Sequence, residues 1–159
     1  MPFERAPVFF STAIPNLGHA TACAAALAVQ QVIERDRLLS RVDHLGIELR
    51  RALAARFDEH PHIGDIRGRG LLLGLEFVAD RVSKKPFPTE DRFDQVLKSA
   101  AMEQGLICYP MAGTIDGKNG SHVLLAPPFI LSDDQIEEIV AKLAVAVDVA
   151  VASARVGRV

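Results

Sequence analysis

Across residues 63–78, four glycines and two arginines interrupt a run of aliphatic residues, a composition that disfavours a helix and requires extended chain. The aliphatics are too dense for a strand that alternates between core and solvent. They predict a turn feeding one well-buried strand. Arg67 and Arg69 are flanked by Gly68 and Gly70 directly ahead of the Leu71-Leu72-Leu73 run. A guanidinium is a rigid fork of donors that matches a carboxylate, and glycine lets backbone and ligand approach closely. Taken alone, the motif fits a surface turn with solvated arginines as well as it fits a carboxylate site.

The flanking sequence has helical spacing. Residues 18–35 are alanine-rich and apolar at Cys23, Ala26, Leu27, Val29 and Ile33, which predicts a helix buried over much of its surface. In residues 36–57, Leu38, Val42, Leu45, Leu49 and Leu53 recur at spacings of three and four, and Arg37, Arg41, Glu48 and Arg51 form a solvated face. Pro61 breaks the chain before the glycine-rich segment. After a polar loop at 83–88, Thr89 and Arg92 open a third helix with Phe93, Val96, Leu97 and Ala100 on one face, and Gly105 is its left-handed cap.

Residues 106–109 predict a short strand, 111–121 a loop or hairpin connection, and 122–126 a strand pairing antiparallel with the first. Ser132-Asp133-Asp134-Gln135 is a capping box that starts a final helix with Ile136, Ile139, Val140, Leu143 and Val147 inward. The order helix, helix, strand, helix, strand, strand, helix predicts an α+β fold with helices packed on one side of a small antiparallel sheet.

A chain of 159 residues suffices for one domain with appendages. Its 18 basic and 20 acidic residues are evenly spread, giving a net charge of -2 and no footprint for nucleic acid or an anionic membrane. Small molecules and other protein chains are the expected partners. No apolar run reaches the roughly 20 residues that span a bilayer, and the first residues lack a signal pattern, so a cytoplasmic location is expected. Cys23 and Cys108 read as reduced, buried thiols. His60, His62, His122 and Cys108 fit no metal-ligand spacing, and no metal site is expected. The glycine-rich loop 113–120 lacks the following helix start of a phosphate cradle and reads as a hairpin loop.

Three segments carry a family resemblance: Gly18-His19 with the alanine-rich run at 22–28, the strand motif around Arg67, and Leu124 to Ile130 followed by the acidic-capped helix. Together they resemble the C-terminal part of a class III, pyridoxal-phosphate-dependent aminotransferase. The resemblance implies a divergent segment at 1–17, helices at 18–58 like the end of the large cofactor domain and its linker, a small domain at 59–154 and a tail at 155–159. It implies that Arg67 grips the substrate carboxylate and that Arg69 is structural. Tyr109 stands where amine-directed members often carry a mobile arginine; there it either shapes the pocket or merely ends a strand.

For the cofactor, the family has a phosphate-binding threonine three residues before the Gly-His pair, where this chain has Pro15; the resemblance carries that role onto Thr12, the nearest hydroxyl. Pyridoxal phosphate chemistry also needs a lysine amine and an acid at the pyridine nitrogen. Lys84, Lys85, Lys98, Lys118 and Lys142 all fall in polar loops or on exposed helical faces, so no catalytic residue is assigned. In the family, both groups come from sequence preceding a segment like this one. The expectation is a fragment, inactive alone, of an enzyme transferring an amino group between an amino acid or amine and a 2-oxo acid. It would pair as a homodimer or with the missing cofactor-domain half. The alternative is a non-catalytic interaction or carboxylate-binding module.

Overall fold

A computed structural model of the chain describes the backbone of residues 19–156 and the side chains of residues 19–154. Thr12 and Pro15 lie outside the described residues. Contacts divide the chain after Arg37 into two compact units.

In the first unit, α1 (Ala20–Arg35) is capped by His19, whose ring Nδ1 accepts from the Ala22 N–H at 3.3 Å. The helix is as expected, but its burial is not. No residue of α1 is buried, Leu27 and Val29 are 60% and 57% exposed, and Cys23 is an exposed thiol rather than a buried one. The cause is physical: a single alanine-rich helix has no second layer, among the described residues of its unit, against which to bury a face.

The second unit runs α2 (Leu38–Phe57), β1 (Ile63–Arg69), β2 (Leu72–Phe77), a 3-10 turn (Thr89–Asp91), α3 (Phe93–Glu103), β3 (Tyr109–Ala112), β4 (Ser121–Leu125) and α4 (Asp133–Val156). The strands form one antiparallel sheet in the order β1-β2-β4-β3, and the architecture is α+β. Helices α2, α3 and α4 supply Leu45, Leu49, Leu53, Phe93, Leu97, Leu143 and Val147 to the core, opposite Leu73, Leu75, Phe77, Val123 and Leu125 of the sheet. The inward positions of β2 and β4 alternate with outward ones, the period-two signature of a sheet covered on one face.

The strand boundaries differ from the sequence expectation: Met111 and Ala112, expected in the loop, belong to β3, and β4 spans Ser121–Leu125 rather than 122–126. Residues 63–78 hold two strands, not one. Gly68 and Gly70 adopt φ of 140° and 54°, and a Cβ on Gly68 would lie 2.1 Å from the Leu72 carbonyl oxygen, so this backbone reversal requires glycine. The later strand begins at Tyr109 rather than Leu106, because Leu106 is spent in closing α3. Its N–H donates to Ala101 O at 2.8 Å and that of Gly105, at φ 70°, donates to Met102 O at 2.9 Å, which satisfies the last carbonyls of the helix. At the start of α4, the Gln135 side chain accepts from the Ser132 N–H at 3.0 Å, as the capping box predicts.

Cations fasten the hairpin edge. Arg50 of α2 donates to the Ile66 carbonyl at 2.7 Å, and Lys84 donates to the Gly64 carbonyl. Arg41, expected on a solvated face, instead donates to Leu131 O at 2.6 Å and ties α2 to the segment entering α4.

Candidate functional site

The register of the sheet aligns Arg67 with Gly74, Gly74 with Leu124 and Leu124 with Tyr109, a single row across all four strands. Partners in such a row share a face, and Leu73, Leu75, Val123 and Leu125 point to the other, helix-covered one. Arg67 and Tyr109 are therefore on the same face, which no helix of this unit covers among the described residues, about 14 Å apart by three strand spacings. Both are exposed, Tyr109 at 64%.

A second row places Asp65 opposite Glu76, Glu76 opposite His122 and His122 opposite Met111. Arg67 Nη1 donates to Glu76 Oε2 at 2.6 Å and to Asp65 Oδ2 at 2.9 Å. These bonds raise the affinity of the guanidinium for its proton, Glu76 contributing most, while the bond to Arg67 holds the Asp65 carboxyl below the usual range. A groove of about 330 Å³ lies beside the pair, lined by Arg67, Arg69, Glu76, Thr114, His122 and Leu124 among others. Its far wall is fixed by a 2.8 Å hydrogen bond between Thr114 Oγ1 and His122 Nδ1.

The site thus contains both arginines of the motif, Arg67 and Arg69, and others that sequence reasoning left without a role. Glu76 was legible in principle, because in Leu73-Gly74-Leu75-Glu76-Phe77 it falls on the polar side of a period-two strand. Its pairing with Arg67 needed the hairpin register. His60, His62 and Cys108 do not join this site. Among the described residues, no group of three His, Cys, Asp or Glu side chains is placed to hold a metal ion, and no helix is long and apolar enough to cross a membrane.

An antiparallel sheet with three helices on one face and an arginine-bearing groove on the other defines the α+β class of the chain. Comparison with known proteins makes the assignment specific. The family model for class-III aminotransferases matches residues 15–147. An uncharacterized aminotransferase of Schizosaccharomyces pombe is 45% identical over 141 residues, which is 89% of this chain and 31% of that protein. A diaminobutyrate–2-oxoglutarate transaminase of Halomonas elongata is 33% identical, over 79% of this chain and 25% of its own length. Among solved structures, a Bacillus anthracis aminotransferase superposes with a TM-score of 0.72 at 35% identity, covering 80% of this chain and 28% of that one. The chain belongs to the class III aminotransferase family, and it spans between a quarter and a third of the length of these relatives.

The family depends on pyridoxal phosphate, and the described residues do not fit that cofactor. Lys84 and Lys85 sit in the exposed loop after β2, with the Lys84 amine on a backbone carbonyl; Lys98 and Lys118 are exposed; Lys142 is paired with Glu138 at 2.6 Å. None lines the Arg67 groove.

Proposed function

We propose that this chain supplies the C-terminal, substrate-facing part of a pyridoxal-phosphate-dependent aminotransferase, which moves an amino group between an amino acid or amine and a 2-oxo acid. In that reading Arg67 holds the substrate carboxylate, Tyr109 shapes the pocket, and Thr12 is the candidate contact to the cofactor phosphate. The working unit is a cytoplasmic homodimer or a complex with a chain that brings the cofactor domain. The observation supporting it is the shared row: the two substrate-side residues named by the family resemblance lie on one sheet face, Arg67 lining the groove and Tyr109 outside that lining, at the far end of the row.

The chain alone is proposed to be inactive, because it presents no lysine next to that groove. Purified chain mixed with pyridoxal phosphate should then develop no cofactor-dependent visible absorbance and no transamination. Adding a chain that carries the cofactor lysine should restore turnover. Turnover by the purified chain alone would sink the reading.

The groove, with Arg67 and His122 but no lysine, also suits a second function, a non-catalytic carboxylate-binding module. Carboxylate binding that is unchanged by any cofactor-domain partner, with no turnover in its presence, would favour that function.

A further inference from the structure

We propose that Glu76 is the positioning residue for the Arg67 grip and that Asp65 limits the affinity of that grip for anions. The proposal rests on the carboxylate-holding role of Arg67. Both carboxylates bond to the same nitrogen, Nη1, which has two protons to give. Among the described residues, Arg67 Nε and Nη2 donate no hydrogen bond. Those two nitrogens form one edge of the guanidinium plane, an edge able to take a carboxylate bidentately. Fixing Nη1 at both protons fixes the plane and leaves that edge available beside the groove.

The two acids are not equivalent. Glu76 lies on β2, an inner strand between the buried Leu75 and Phe77, its side chain is 24% exposed, and its bond to Arg67 is the shorter at 2.6 Å. Such a group keeps its place and orients its partner. Asp65 lies on the edge strand β1, is 51% exposed and sits at 2.9 Å. It adds a second negative charge to a site that already has one, so Arg67, Asp65 and Glu76 together sum to -1. Arg69 in the same groove and Lys84, whose charge reaches Asp65, each add a positive charge and bring the formal sum over the five groups to +1, so the limit that Asp65 sets is local to the Arg67 guanidinium. Close to Asp65 and Glu76, a carboxylate whose neighbouring group is cationic or neutral meets less repulsion than one carrying a second negative charge.

The test is nitrogen NMR of the arginine side chains in the 159-residue chain, with propionate as the probe. Without ligand, the Nη signals of Arg67 should be resolved by hindered rotation in the wild type and in Glu76→Gln, which keeps the acceptor, and averaged in Glu76→Ala. On titration, Asp65→Asn should bind propionate about two- to fivefold more tightly and Glu76→Ala about two- to fivefold more weakly, the range set by partly exposed charge pairs. Glu76→Gln should bind at least as well as the wild type.

Averaged Nη signals in the wild type, or a Glu76→Ala titration matching the wild type while Arg67 responds, would overturn the positioning role and leave the grip standing. An Asp65→Asn affinity no higher than wild type would overturn the limiting role. If propionate moves the Arg67 signals in no variant, the grip itself is absent and both roles fall with it.

Discussion

Gly46 in α2 lies directly on Gly70 in the β1–β2 turn: a Cβ on Gly46 would sit 2.5 Å from the carbonyl carbon and oxygen of Gly70. The approach sets where the hairpin, and with it Arg67, stands relative to the helical layer. In an exposed helix Gly→Ala gains roughly 1 kcal/mol of propensity. Here overpacking against backbone, about 1–3 kcal/mol, opposes that gain. Gly46→Ala is therefore expected to lower the stability of the chain in chemical denaturation, and a stabilised variant would show that the contact yields freely.

Arg67 is expected to matter more for substrate than for folding. Its ion pairs are half-exposed, and loss of such pairs costs about 0–1 kcal/mol. A charged hydrogen bond to a bound carboxylate is worth about 1.5–3 kcal/mol, so Arg67→Ala in an intact homologue should lower kcat/KM for its amino acid by about tenfold or more. Unaltered efficiency would remove the grip.

Stability should fall on mild acidification through His60. Its Nδ1 accepts the His62 N–H at 3.2 Å, and its ring lies against Phe57 and His62, 6.0 and 5.9 Å between centroids. Burial is the largest cause that holds its pKa below the usual value, with the His62 and Arg56 charges adding to it; Asp148 on α4, 3.8 Å from Nε2, works the other way. The folded state thus binds the proton less well than the unfolded chain, whose histidine titrates near 6.5. The contribution is complete above about pH 6.5 and is lost as pH falls through the lower folded pKa. His60→Asn, which keeps an acceptor, should flatten the dependence of the denaturation midpoint on pH between about 7.5 and 5. An unchanged slope would exclude His60 as its source.

The two thiols should separate in reactivity. Cys23 is exposed on α1, whereas burial pushes the Cys108 thiol above its ordinary pKa and so depletes the reactive thiolate. In the free chain a thiol reagent near neutral pH should label Cys23 first, as read by mass spectrometry of the digested protein. Equal labelling would contradict the burial of Cys108.

The loop between β3 and β4 depends on one carboxylate. Asp116 accepts from the Lys118 N–H at 2.9 Å and from the Asn119 backbone and side chain, each at 2.7 Å. Its pKa is lowered, chiefly by the Asn119 backbone bond. Asp116→Ala should speed amide hydrogen exchange at Lys118 and Asn119 and leave α2 unchanged; protection equal to wild type would show that the glycines alone hold the turn.

Where spacing alone decides structure, the sequence is legible. The leucine repeat of α2, the Ser132–Gln135 cap and the Gly105 stop all appear as expected, because each is a local rule with a local signal. The β1–β2 reversal was hidden, since Ile66 and Leu71 to Leu73 continue one aliphatic run through it, and only the backbone conformation at Gly68 and Gly70 marks the turn. The exposure of α1 was equally hidden: periodicity reports which residues could be buried and says nothing of whether a partner layer is present. At the site, Arg67 was legible by its chemistry. Glu76, 9 residues away, was legible only as a polar-face residue, because its approach is a property of register; Asp65, 2 residues away, shares a face with Arg67 only because this segment is a strand, where the sequence predicts a turn.

The cations fastened to β1 have a consequence for the chain's behaviour in crowded solution. A strand with one neighbour offers unpaired carbonyls as a template for foreign strands. On β1 the Gly64 and Ile66 carbonyls already accept from Lys84 and Arg50, and Asp65, Arg67 and Arg69 add charge along the strand; at the opposite rim, Pro110 of β3 has no N–H to donate. Both rims of the sheet thereby offer fewer free backbone groups to a foreign strand, which disfavours growth of a cross-β stack from either edge.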